Sequence, residues 1–92
     1  DLRLFQSKEG FMQALAHPNQ WVRTTAHRLL MSGDDFPATE LTQLLSSPQA
    51  VARLHAAWML YERNLLQEEA LQRLLRDESP GVRENALRMA EE

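Results

Sequence analysis

The chain has no cysteine, only three glycines and a single lysine, Lys8. Without thiols there is no disulfide framework, no thiolate metal site, no covalent c-type haem attachment and no cysteine nucleophile. The few glycines leave no room for a glycine-rich phosphate loop. No apolar run approaches the roughly 18 to 20 residues of a bilayer crossing, and no secretory signal pattern is visible at the N-terminus. The first residue is Asp1 rather than Met, so the chain reads as a fragment of a longer one and its compartment stays open. Among 92 residues, 43% are hydrophobic and 25% charged, a globular composition sufficient for one domain spanning 1–92 but not for two cores. Ten basic against thirteen acidic residues give a net charge of −3, which disfavours a nucleic-acid partner because phosphate-backbone binding depends on clustered cations.

What is present is a repeat. Arg23, Arg53 and Arg83 recur at thirty-residue intervals. Val22, Ala52 and Val82 precede them; Ala26, Ala56 and Ala86 follow three positions later; Leu29, Met59 and Met89 follow six later. Upstream, Phe11, Leu41 and Leu71 keep the same phase, as do Ala14, Leu44 and Leu74, and then Leu15, Leu45 and Leu75. Self-similarity of this kind is the signature of a repeat architecture.

Each unit contains two amphipathic patterns of i, i+3, i+4 spacing, one before and one after a turn. Pro18, Pro48 and Pro80 punctuate the middle of each unit, where proline ends one helix and can open the next. The spacing predicts helices near 7–16, 19–32, 36–46, 48–62, 65–76 and 80–91. Ser47, Ser79 and Asn19 are expected to cap second helices. Asn64 with Gln67 has capping-box spacing for the fifth. No segment alternates with the period of a strand. The fold expected is all-α, a short right-handed α-solenoid of three helical hairpins covering about 7–32, 36–62 and 65–91, each shielding its apolar stripe against the next. Met89 and Ala90 are expected to face a following hairpin, and Asp1 to Gln6 to continue from something upstream.

The segments Ser47-Pro48 to Arg53 with Ala56 and Leu60, and Ser79-Pro80-Gly81-Val82-Arg83-Glu84-Asn85-Ala86, resemble HEAT repeats of the short variety named after phycobilisome lyases. The resemblance covers all but residues 1–6. It implies second helices on a concave surface, and an Asp in the turn paired with the repeated Arg. Only Asp77 fits that Asp; His17 and Ser47 hold the equivalent positions, which leaves no Arg–Asp ladder expected in the first two units. More narrowly, the strings HPNQWVRTTAHRLL (17–30), ARLHAAWML (52–60) and PGVRENALRMAE (80–91) resemble the helical-repeat segment of multidomain bacterial proteins described as membrane-bound dehydrogenases. Those proteins carry a β-propeller before the repeats and a haem-binding cytochrome c domain after them. This similarity implies a spacer module in a periplasmic or membrane-associated parent. Neither the propeller nor a Cys-x-x-Cys-His motif occurs in these residues.

On each second helix the face opposite the apolar stripe should be solvated. It reads Thr24, Arg28, Met31 in unit one and Glu84, Arg88, Glu91 in unit three, but Leu54, Trp58, Tyr61 in unit two. Trp21 points the same way from the start of its helix. An apolar centre of Trp21, Leu54, Trp58 and Tyr61 with Arg28 and Arg88 at its rim has the composition of an interface. The segment Leu2, Leu4, Phe5, or a neighbouring domain, could cover it.

The other features suit structural roles. The Arg23, Arg53, Arg83 ladder is expected to be structural, each guanidinium binding helix-end carbonyls or a carboxylate of the adjoining unit rather than an anion. His27 and His55 lie at about 40° and 200° from the Arg frame, and these diverging directions predict no shared metal site. His17 sits in a turn. Asp34-Asp35, Glu68-Glu69 and Glu91-Glu92 fall in loops or near helix ends, where they suit solvated charge better than acid–base chemistry. Ser7, Ser46, Ser47 and Ser79 are turn or cap residues without a nucleophile elbow. No cofactor, metal or catalytic residue is expected. The function expected is a non-catalytic interaction or spacer module that binds a protein or a neighbouring domain of its own chain, with no membrane insertion. The alternatives are a nucleic-acid-binding or DNA-glycosylase-like HEAT protein, which needs a basic aromatic groove around an Asp, and a structural segment of a haem-linked dehydrogenase.

Overall fold

A computed structural model describes residue 5 and residues 7–33 and 35–91. Leu2, Leu4, Asp34 and Glu92 lie outside the described residues. Among the described residues six helices follow one another: α1 (Lys8–Ala14), α2 (Gln20–Ser32), α3 (Ala38–Leu44), α4 (Ala50–Glu62), α5 (Glu68–Leu74) and α6 (Pro80–Glu91). There is no strand among the described residues. The helices pack in sequence as α1 with α2, α3 with α4 and α5 with α6, while α4 also lies against both α2 and α6, and α1 against α3.

The first helix of each pair is shorter than its apolar pattern predicts, and the reason is the same three times. After Ala14, Leu44 and Leu74 the hydrogen bonding tightens from i−4 to i−3: His17 N–H donates to the Ala14 carbonyl, Ser47 N–H to Leu44 and Asp77 N–H to Leu74, at 3.0 to 3.1 Å. A 3₁₀ turn of this kind satisfies helix-end carbonyls while the chain reverses. The start of α3 is displaced too. Pro37 has φ −84 and ψ 66, and Ala38 N–H donates to the Phe36 carbonyl at 2.9 Å, an inverse γ-turn that holds the helix off until Ala38.

Two capping expectations are corrected. The residue before α4 is Gln49, not Ser47; Ser47 Oγ instead accepts from Gln49 N–H at 3.1 Å, ahead of the helix. Asn64 does not begin α5. It closes α4 in the left-handed conformation, φ 59. Leu65 N–H donates to the Leu60 carbonyl at 2.8 Å and Asn64 N–H to the Tyr61 carbonyl at 3.0 Å. This paired arrangement is a Schellman motif, and Asn is the side chain that tolerates it best after Gly. Asn19 does cap α2, accepting from Trp21 N–H at 2.8 Å. Ser7 caps α1, accepting from Gly10 N–H at 3.0 Å.

The core runs through all three pairs. Ala14, Leu15, Leu41, Ala56, Met59, Leu60, Ala86 and Met89 are buried to 3% exposure or less. Fully burying a Leu or Met side chain contributes roughly 1.5 to 3 kcal/mol. Of Met89 and Ala90, expected to face a following hairpin, Met89 is buried in this core and Ala90 is exposed; Leu87, 52% exposed, is the large apolar side chain that α6 leaves uncovered. Helix α4 is the central element: Ala52, Arg53, Ala56, Ala57, Met59 and Leu60 are all buried, as befits a helix with neighbours on several sides. Phe5 packs on Phe11, ring centroids 5.8 Å apart, and so lies against unit one rather than on Trp58 and Tyr61.

Candidate interaction face and the seams between units

The turn inside each unit is tied from both ends. At positions 17, 47 and 77 the side chain accepts the N–H two residues on: His17 Nδ1 from Asn19 at 3.0 Å, Ser47 Oγ from Gln49 at 3.1 Å, Asp77 Oδ1 from Ser79 at 2.9 Å. The carbonyls of the same three residues accept from the repeated arginines. Arg23 Nη1 reaches His17 O at 2.7 Å, Arg53 Nη1 reaches Ser47 O at 2.8 Å and Arg83 Nη1 reaches Asp77 O at 2.6 Å. A cation that caps the end of the preceding helix at a fixed offset explains why Arg recurs in every unit.

Only Asp77 adds a second role. Its carboxylate accepts two hydrogen bonds from Arg53, Nε to Oδ2 at 2.9 Å and Nη2 to Oδ1 at 2.7 Å, with side-chain exposures of 9% and 10%. The Asp of unit three thus pairs with the Arg of unit two, so unit two does have an Arg–Asp contact, made across the seam. Burial by itself would push the Asp77 carboxyl up. Hydrogen bonds from Arg53 and the Ser79 N–H, with the charges of Arg53 and Arg83, outweigh that and hold it below the ordinary carboxylate value. The Arg53 guanidinium is correspondingly raised, chiefly by its hydrogen bond to Asp77.

The seam between units one and two has no such ion pair at that position, because Ser47 stands where Asp77 stands. It is held instead by His27 and His55, whose Nδ1 atoms lie 3.0 Å apart with the rings edge to face at 5.2 Å. Arg63 adds a second tie: Nη2 donates to the Met31 carbonyl at 2.5 Å and the guanidinium carbon stands 4.5 Å over the Phe36 ring, a cation–π contact. The meeting of His27 and His55 corrects the sequence reading. Neighbouring helices meet through facing flanks, so directions about 160° apart on two helices are ones that can meet across a seam. The same logic joins Trp58 to Asn85: indole Nε1 donates to Asn85 Oδ1 at 3.0 Å, and Asn85 Nδ2 donates to the Gly81 carbonyl at 2.7 Å.

The predicted interaction residues divide into two groups. Leu54, Trp58 and Tyr61 are half-buried and pack against the core, with Trp58 and Tyr61 edge to face at 5.5 Å. Trp21 is 65% exposed on the first turn of α2. Arg28 and Arg88 are exposed. Arg88 makes only an exposed pair with Glu84 at 3.4 Å, of a kind that contributes at most about 1 kcal/mol. Sequence reasoning missed Asn85, Arg63 and the His pair; the signal for all three was that their partners sit on the neighbouring unit rather than on their own helix.

No group of three or more potential metal ligands is clustered among the described residues, and no helix among them is long and apolar enough to cross a membrane. No family model matches the chain, and neither the curated proteins nor the solved structures provide a match.

Proposed function

We propose that this chain is a non-catalytic interaction or interdomain spacer module, a short right-handed α-solenoid of three HEAT-like hairpins that docks a protein or a neighbouring domain on the face of its second helices. The pairing of α1 with α2, α3 with α4 and α5 with α6, and the lateral contacts of α2, α4 and α6, support the solenoid. The observation that carries the docking role is the exposure of Trp21, at 65%, on the helix that also presents Arg28. A tryptophan left in water while smaller apolar groups are buried is the side chain most often found at the energetic centre of an interface. The half-buried Leu54, Trp58 and Tyr61 provide a firm apolar bed rather than free anchors. A nucleic-acid role is weaker because Arg23, Arg53 and Arg83 are committed to turn carbonyls, which removes a continuous cationic stripe.

The test is selection of peptides from a displayed library against the immobilised domain. Peptides that bind the intact chain should lose about tenfold or more in affinity against Trp21→Ala or Arg28→Glu, a loss of the size hot-spot truncation produces. Peptides indifferent to both substitutions would place the binding face elsewhere, and oligonucleotide binding that weakens steeply with salt would favour the nucleic-acid reading.

A further inference from the structure

The two seams of this molecule are built from different chemistry. Between units two and three stands the buried Arg53–Asp77 pair. Between units one and two stands the His27–His55 contact, Nδ1 to Nδ1 at 3.0 Å. Such a contact needs one ring to donate and the other to accept. One proton added to the pair still leaves a donor and an acceptor. A second leaves two donors and two positive charges face to face, and the hydrogen bond becomes a repulsion.

We infer that the His27–His55 contact is an acid-labile hinge, through which double protonation releases α1 and α2 from α3 and α4 while α3 to α6 stay packed.

The charged surroundings support this assignment. On α2, Arg23 contributes a positive charge that acts on His55. On α4, Glu62 Oε1 lies 3.5 Å from His27 Nε2, on the side of that ring away from His55, so it does not stand between the two Nδ1 atoms. From α6 the polar side chain bonded to α4 is the neutral Asn85. Helix α3 carries one ionisable side chain, Glu40, which lines a groove with Met12 and Leu44. Burial first, then the charges of His27 and Arg23, push His55 down to about 4. The second proton therefore enters near that pH, where Asp77 remains ionised and the other seam stays locked. Between about pH 6.5 and 4 an opened hinge binds a proton that the closed one refuses, so the closed-to-open ratio falls by up to about tenfold per pH unit.

Backbone hydrogen exchange of the intact chain, corrected for the intrinsic pH dependence of exchange, reads this ratio segment by segment. Protection of α2 amides is expected to fall by up to about tenfold per unit from about pH 6 to pH 4, with α6 protection unchanged. In His55→Asn, which places at this position the residue type found at 85, the α2 dependence is expected to disappear. His27→Asn provides the same readout should the first variant not fold. A ring-proton titration of the unaltered protein by NMR gives a third measure, with the His55 midpoint expected well below 6.5. Parallel loss of protection in α2 and α6, an unchanged acid response in the folded variant, or a His55 midpoint at or above 6.5 would each overturn the hinge.

Discussion

Arg53 and Asp77 belong to different units and share two hydrogen bonds of 2.9 and 2.7 Å, with about nine-tenths of each side chain shielded from solvent. The contact couples the second hairpin to the third, and Arg53 is at the same time bound to the Ser47 carbonyl of its own turn. One guanidinium therefore links the turn of its own unit to the turn of the next.

Removing one member of this pair strands the other. Asp77→Ala is expected to destabilise the fold by about 3 to 5 kcal/mol in urea denaturation, because Arg53 keeps its buried charge without a carboxylate to neutralise it. Asp77→Asn retains an acceptor for the Ser79 N–H and should cost less. Replacing both, as Arg53→Met with Asp77→Leu, removes the stranded charge and should recover part of the loss, the rest remaining because the Ser47 carbonyl and the Ser79 N–H lose their side-chain partners; a double variant as unstable as Asp77→Ala would mean that the stranded charge is not what destabilises the seam.

Acid should weaken the protein in two ranges. The folded-state value of His55 is about 4, lowered from 6.5, so the unfolded chain takes up the proton first and stability declines as pH falls from 6.5 to 4, by about 1 to 3 kcal/mol. The Asp77 carboxyl is depressed in the folded state. Its contribution is therefore complete above the unfolded carboxylate value of about 3.9 and is lost as pH drops through the lower native value. Urea midpoints measured from about pH 7 to about pH 3 check both, and a flat profile down to pH 4 would contradict the His55 assignment.

Asn64 holds a left-handed backbone at the end of α4. Asn64→Ala should cost roughly 1 kcal/mol, since a β-carbon without a compensating polar group is penalised there, while Asn64→Gly should be neutral or slightly stabilising. Thermal midpoints of the two variants decide it; equal loss in both would point to a role for the Asn side chain instead.

Trp58 and Trp21, both expected on one face from the sequence, should behave oppositely. Trp58→Phe breaks the bond to Asn85 and is expected to cost about 0.5 to 1.5 kcal/mol. Trp21→Ala should change stability by no more than about 0.5 kcal/mol, because the side chain is 65% exposed. A large loss at Trp21 would make it a packing residue and remove the main support for the docking face.

The thirty-residue period made the six helices and most of the buried stripe legible, since Ala14, Ala26, Leu41, Ala56, Met59, Ala86 and their companions recur in one phase. Helix ends were less legible. A 3₁₀ turn and an α-helix share their apolar spacing over four residues, so 15–16, 45–46 and 75–76 read as helix. Asn64 and Gln67 have the spacing of an N-terminal cap, but the same three-residue gap fits a helix end followed by a short loop. Of the proposed interaction face, Trp21, Leu54, Trp58 and Tyr61 were legible as apolar residues at positions expected to face solvent. Their different burial was not, because it depends on the flanking helices α2 and α6. The His27–His55 contact was hidden by treating each helix in its own frame.

An imidazole, a hydroxyl and a carboxylate all close the same reverse turn, at 17, 47 and 77, yet only the carboxylate also reaches the arginine of the unit before it. Substitution at this site can therefore leave a hairpin's own shape untouched while strengthening or severing its grip on its neighbour. Rigidity along the array is in this way encoded separately from the shape of its parts, and a chain of near-identical modules can be stiff at one joint and pliant at the next.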